Sequence, residues 1–222
     1  MSIREKLAKR ARKAGLSLST DTISGLEAYF ELLRKWNQKV SLTSLDTSEE
    51  GEEALDRLLI EPALAAQYIP KPSAVVIDVG SGGGSPAIPM KLVVPGIAMR
   101  MIESKTRKAA FLREAIRHLN LVAATVEASR VEELLIRPEL HEAADLVTVR
   151  AVRTERKFLA GIQAFLKPGG LLFLFRSGDA ATDIELSSDL LHLEASHFLL
   201  PHLQSRLAVF RNVPRGTTRN SR

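Results

Sequence analysis

"IDVGSGGGSPAIPM", residues 77–90, decides how the rest of the chain is read. An apolar run carries an acid, Asp78, and four glycines then fill five positions, Gly80 and Gly82 to Gly84, ahead of Pro86 and Pro89. A backbone stripped of side chains can turn sharply and let a ligand lie against it. Helix amides beyond Ser85 would offer hydrogen-bond donors, and Pro86 suits a helix's first turn because the N–H it lacks would be unpaired there. The stretch therefore predicts a strand, a ligand-holding loop and the start of a helix.

Working outward, short β-rich runs alternate with helix-length segments from Ser73 onward. The runs are VVIDV (75–79), AMRMIE (98–103), AATVEA (123–128), DLVTVRAV (145–152) and LLFLFR (171–176), and the helical segments lie near 87–94, 106–118, 130–136 and 153–166. Such alternation predicts parallel strands joined by right-handed crossovers, with helices on both faces. "LKPGG" (166–170) reads as a helix end and turn. LEASHFLL (193–200) and RLAVFRNV (206–213) are separated by too few residues for a crossover and predict an antiparallel hairpin. The fold class is α/β, a doubly wound Rossmann-like sheet of seven strands with the last antiparallel, similar to the methyltransferase variant.

Ahead of the sheet, Ile23, Leu26, Phe30, Leu33, Trp36 and Val40 follow a spacing of three and four, with Thr20 or Asp21 as cap. An acidic stretch from Asp46 to Glu61 and a second apolar helical pattern through Leu64 follow. Residues 1–72 are thus expected as an N-terminal helical extension and 73–222 as the ligand-binding domain, together one compact unit.

The 222 residues include no cysteine, which removes disulfides, thiolate metal sites and a cysteine nucleophile, and agrees with a reducing cytoplasm. No apolar run approaches the roughly 18 residues of a membrane span. The net charge of +5 favours phosphate-rich partners. Both ends are cationic: Arg4, Lys6, Lys9, Arg10, Arg12 and Lys13 face only Glu5, and Arg211, Arg215, Arg219 and Arg222 close the chain. The N-terminus lacks a signal core, so a targeting role is not expected.

"MIES" places Glu103 at the tip of the second strand, beside the glycine loop, where a carboxylate can accept both hydroxyls of a ribose. Dinucleotide and S-adenosylmethionine sites share that device. Position 85, where G-x-G-x-x-G needs its third glycine, is serine, which disfavours a dinucleotide. Asp78 ahead of the first glycine and the terminal hairpin point the same way.

These pieces, in order, resemble the glucose-inhibited division protein B group, also called the small-subunit ribosomal RNA guanine-N7 methyltransferase G family. The resemblance is carried by "LLRKWNQKVSLTS" (32–44), "DVGSGGGSPAIP" (78–89), Glu103-Ser104 with Lys105, Arg107 and Lys108, "SRVEEL" (129–134) and "DLVTVRAV" (145–152). It implies S-adenosylmethionine as cofactor and 16S ribosomal RNA or the small ribosomal subunit as partner; beside it, a monomeric, metal-free, cytoplasmic protein is expected. It places Gly80 and Ser85 on the cofactor, Glu103 on its ribose, Val131 and Glu132 near its adenine, and Arg150 at the cofactor and catalytic end; Asp78, Gly82 and Gly84 are expected at the cofactor from the loop itself. Two of these have plainer readings: Ser129 and Glu132 have capping-box spacing, and Arg150, in an apolar strand, suits a buried ion pair.

The chain departs from the family pattern at Ser85 and Ala87 in the loop, at Leu58, Glu61 and Pro62 in the second N-terminal helix, and at Arg176-Ser177-Gly178 after the fifth strand. The last two groups lie toward the expected substrate side.

Guanine N7 carries an unprotonated lone pair and needs no general base, which suits a chain without a cysteine and without the Asp/Asn-Pro-Pro-aromatic loop of many amine methyltransferases. Arg150, Arg153 and Arg156 would meet phosphate or the guanine edge, or, for the latter two, simply be solvated helix charges. The cationic termini and the Lys105–Arg117 helix would grip RNA. Two other readings stay open: methylation of another RNA base or a small molecule, and a non-catalytic RNA-binding module.

Overall fold

The structure is a computed structural model that describes residues 1–48, 51–150, 156–177, 186 and 191–213. Arg153, Gly178, Arg215, Arg219 and Arg222 lie outside the described residues, as does the side chain of Arg156.

Seven strands form one sheet in the order β3-β2-β1-β4-β5-β7-β6. They are β1 (Val75–Val79), β2 (Ala98–Ile102), β3 (Ala124–Glu127), β4 (Ala144–Arg150), β5 (Leu166–Ser177), β6 (Leu191–Leu200) and β7 (Ser205–Asn212). β1 to β5 pair in parallel, and β7 runs antiparallel to both β5 and β6. The expected hairpin is present, and its returning strand slots between β5 and β6. Strand periodicity sends alternate residues to two cores: Val76, Met99 and Leu146 to one face, Ile77, Val79, Val147 and Val149 to the other.

The first core also takes in the N-terminal helices α1 (Ile3–Lys13) and α2 (Thr20–Asn37). α1 starts with a reciprocal cap: the Ser2 hydroxyl accepts from the Glu5 amide, and the Glu5 carboxylate accepts from the Ser2 amide. α2 is capped by Ser19 rather than Thr20 or Asp21, its hydroxyl accepting from the Thr22 amide at 3.1 Å. Ile23, Leu26, Tyr29, Phe30 and Leu33 bury one face of α2 in the core that also holds Met99 and Met101 of β2 and Phe111 of the helix that follows β2.

Between α2 and β1 the helical stretch is interrupted in a way that shapes the site. α3 (Glu52–Leu55) widens into a π turn at Asp56–Ile60 and resumes as α4 (Glu61–Ala65). In the π turn the Glu61 amide bonds the Asp56 carbonyl, five residues back. Pro62 has no N–H, so the Arg57 carbonyl receives neither an i+4 nor an i+5 helical bond, and the Leu58 carbonyl lacks its i+4 donor. Buried carbonyls must find other partners. Here they come from Arg150 at the end of β4 and from Ser85 in the glycine loop.

The crossover helices are α5 (Ala87–Val93), α6 (Thr106–His118), α7 (Val131–Leu135) and α8 (Arg156–Ile162). Two expectations are corrected here. α7 begins at an N-cap, Arg130, with no side-chain hydrogen bond, so Ser129 and Glu132 form no capping box. "LKPGG" belongs to β5: between the pairs Ala144↔Leu166 and Leu146↔Leu171 it bulges out of the ladder, with Gly169 at φ 77°. Asp145 fastens that bulge through Lys167 Nζ at 3.0 Å.

Candidate active site

A cleft of about 520 Å³ opens at the carboxyl ends of β1, β2, β4 and β5. Strand order reverses direction around β1 and β4, and open α/β sheets bind ligands at such a switch point. Gly80, Gly82, Ser85, Glu103 and Arg150 line it.

The floor is the glycine loop. The Gly80 and Ser81 amides both donate to the Ile102 carbonyl, at 2.9 and 3.0 Å, so the loop leaves β1 still fastened to β2. Gly82 has φ 54°, and a Cβ there would meet nothing nearer than the Gly80 carbonyl at 3.8 Å: this face of the loop is bare. Gly84, at φ 88°, serves packing instead; a Cβ would stand 2.5 Å from Ile88 Cδ1 and 3.2 Å from Leu112 Cδ2. From the other side the buried Tyr29 hydroxyl donates to the Gly83 carbonyl at 2.6 Å. The N-terminal helices thus hold the loop directly.

Glu103 follows β2 and is buried, 6% exposed. Its Oε2 accepts from the Gly82 amide at 2.8 Å and its Oε1 from the Lys105 amide at 2.7 Å. Each carboxylate oxygen keeps a further lone pair, enough for a diol. Asp78 lies beneath the loop and not on the cleft wall. Its Oδ1 accepts from the Thr148 hydroxyl at 2.5 Å, while Oδ2 is buried with no partner. Burial pushes this carboxyl up to about 6, against the Ser81 and Thr148 hydroxyls and the Arg150 charge.

Arg150 closes the far wall. Its Nη1 donates 2.5 Å to the Arg57 carbonyl that the π turn and Pro62 left free, and lies 3.3 Å from Ser85 Oγ. Nη2 pairs with Glu61 Oε2 at 2.8 Å, and the guanidinium carbon stands 5.5 Å from the Phe175 ring centre. Ser85 in turn donates to the Leu58 carbonyl at 2.9 Å. Burial lowers the Arg150 pKa and raises that of Glu61, each opposed by the partner's charge. Arg150 is therefore the buried ion pair that its strand position suggested, and it also faces the cleft.

Val131 and Glu132 head α7; Val131 is half-buried against the second core and Glu132 is exposed, and neither lines this cleft. Residues the sequence did not single out do line it, among them Arg57, Leu42 and Phe175. Of these only Arg57 had a signal, the proline five residues on inside a helical pattern.

The cationic N-terminus is partly consumed by folding. Arg4 pairs with Glu27, and Arg10 with Glu52 and Asp56. Arg211 pairs with Glu194 on β6. Lys9, Arg12 and Lys13 on α1, and Lys105 and Arg107 at the head of α6, are exposed. Among the described residues no helix is long and apolar enough to cross a membrane.

The fold is shared with solved structures of low sequence identity. Coclaurine N-methyltransferase bound to N-methylheliamine and SAH superposes with a TM-score of 0.56 at 15% identity, over 90% of this chain and 74% of that one. P. horikoshii TYW2 in complex with MeSAdo gives 0.54 at 14% identity, over 69% and 62%. In sequence, a ribosomal RNA small subunit methyltransferase G from Geobacter sp. (strain M21) is 32% identical over 206 residues, 90% of this chain and 92% of the relative. The protein of that name from Acetivibrio thermocellus is 30% identical over 193 residues, 87% and 78% of the two chains. The family model for rRNA small subunit methyltransferase G matches residues 22–207, and the chain belongs to that family, GidB.

Proposed function

We propose that the protein is an S-adenosylmethionine-dependent methyltransferase acting on guanine N7 of 16S ribosomal RNA. The observation that carries the cofactor half of this reading is the meeting of a bare glycine loop with a buried, amide-held carboxylate, Gly82 against Glu103 at 2.8 Å. The loop leaves open space where a side chain would stand, and the carboxylate retains acceptor capacity for two ribose hydroxyls. The residues fit the nucleoside cofactor. The family supports the acceptor half.

In this reading Gly80 and Gly82 pass under the cofactor, Glu103 takes its ribose, and Ser85 and Arg150 bound its reactive end. Asp78 and Gly84 support the loop from below, and Val131 and Glu132, at the head of α7, are kept at the adenine end on the strength of the resemblance. When bound, S-adenosylmethionine supplies an electrophilic methyl group on a sulfonium. Displacement in line needs the lone pair of N7 and no proton acceptor, so the chain's work is to hold, orient and exclude water. Arg150, neutralised by Glu61, can face that region without adding a full net charge.

Exposed Lys9, Arg12, Lys13, Lys105 and Arg107 are proposed to meet RNA phosphates. Tyr29 on the Gly83 carbonyl supports treating residues 1–72 and 73–222 as one working unit, which we propose acts as a monomer in the cytoplasm, without metal. The test is incubation of the protein and labelled donor with small ribosomal subunits and with naked 16S RNA, followed by mapping of the modified base. Label at one guanine N7 is the expected result. Label on another base, or only on a small metabolite, would replace the acceptor assignment.

A further inference from the structure

We infer that Arg57 holds the acceptor base, through the carbonyl oxygen next to the reactive ring nitrogen; this rests on the methyltransferase reading above. Two arginines line the cleft, each against one oxygen of Glu61, and they are engaged very differently. Arg150 is bound at 2.5 Å and 2.8 Å to the Arg57 carbonyl and Glu61 Oε2. Arg57 makes one good bond, Nε to Glu53 Oε1 at 2.9 Å. Its two terminal nitrogens reach only 3.4 Å contacts, Nη1 to Glu61 Oε1 and Nη2 to the Leu203 carbonyl. Bonds that long are at the limit of the interaction, and the Arg57 side chain is 24% exposed. Two donors of a fixed planar fork are thus available to a better acceptor entering the cleft.

The backbone beneath them is fixed. Because Glu61 N bonds Asp56 O and Pro62 has no N–H, the Arg57 carbonyl is left for Arg150 Nη1, which anchors the turn that carries Arg57 to the end of β4. Glu61 then spans both guanidinium groups, one oxygen to each. The arrangement brings a braced arginine fork to the cleft that Glu103 and the glycine loop also line.

A guanidinium offers donors only. Guanine presents O6 beside N7, so a fork on O6 leaves the N7 lone pair unbonded; adenine presents an amino donor at the same place, donor against donor. Arg57 therefore admits a purine with an acceptor at C6 and rejects one without it.

The experiment compares wild type, Arg57→Ala and Arg57→Lys for donor binding by calorimetry and for methyl transfer to small ribosomal subunits lacking the modification. The donor dissociation constant is expected to stay within about twofold, while kcat/KM falls roughly 10- to 100-fold in Arg57→Ala, the size of one lost charge-assisted hydrogen bond to O6. Arg57→Lys keeps the charge but not the fork, and recovers only part of the loss. Equal kcat and KM in Arg57→Ala and wild type would overturn the assignment alone. So would loss of donor binding in both variants, since Arg57 would then support the cofactor. A wild-type protein that labels no RNA overturns the proposed function and this inference with it.

Discussion

Arg150 Nη2 and Glu61 Oε2 are 2.8 Å apart, and the two side chains are 15% and 3% exposed. The pair joins β4 to α4 on the cleft wall, where burial leaves each charge little water to replace its partner. Removing one member of such a pair costs more than removing both.

Glu61→Ala is accordingly expected to lower stability by about 3–5 kcal/mol, because Arg150 would be left buried and uncompensated. The double variant Glu61→Leu with Arg150→Met should recover most of that loss. Denaturant unfolding measures both. A Glu61→Ala loss below about 1 kcal/mol would mean that Arg150 finds solvent or another acceptor.

Two loop glycines should respond differently to the same substitution. Gly84→Ala forces a methyl into Ile88 and Leu112 and strains a φ of 88°, so stability should fall by about 2–4 kcal/mol. Gly82→Ala meets open space and bears mainly the strain of φ 54°, about 1–2 kcal/mol, yet its methyl enters the cleft. Thermal unfolding and donor titration on the two proteins separate the effects: Gly84→Ala is the less stable, and Gly82→Ala loses more affinity for its stability.

The buried Asp78 carboxyl gives a pH signature. In the folded chain burial pushes it from 3.8 to about 6, so between those values the folded protein holds a proton that the unfolded chain has released. Stability from this group is therefore greatest below about 3.8 and declines as pH rises to about 6. Asp78→Asn should flatten the decline, with the stability difference between variant and wild type changing in the variant's favour by up to about 3 kcal/mol across that window. Unfolding midpoints at pH 4, 5, 6 and 7 give the difference directly. A constant offset at every pH would place the group in contact with water.

What could be read from the sequence is what depends on local repetition. Val76 and Ile77 alternate between two cores because a strand has period two, and Leu26, Phe30 and Leu33 share a face because a helix has period 3.6, so the fold class followed. Gly80, Gly82 and Glu103 were legible because a glycine turn after a strand and an acid at the next strand's tip have one common use. Boundaries were less so: Ser19, Thr20 and Asp21 are all cap formers, and only the backbone chooses Ser19. The bulge at Lys167–Gly170 looked like a turn because glycine and proline serve both. Tyr29 was hidden, and Arg57 marked only by Pro62, for another reason. Their roles come from contacts across long sequence separations, the Arg150 guanidinium on one carbonyl and the Gly83 carbonyl under one hydroxyl.

The account depends most on a nucleoside occupying the ground between the loop and Glu103. Calorimetric titration of S-adenosylmethionine and S-adenosylhomocysteine into the wild-type protein and into Glu103→Ala tests it most directly. Saturable binding is predicted for the wild type, weakened in the variant by about 1–3 kcal/mol for the lost charge-assisted bonds to the ribose. No saturable heat with the wild-type protein, or an equal dissociation constant in Glu103→Ala, would contradict it.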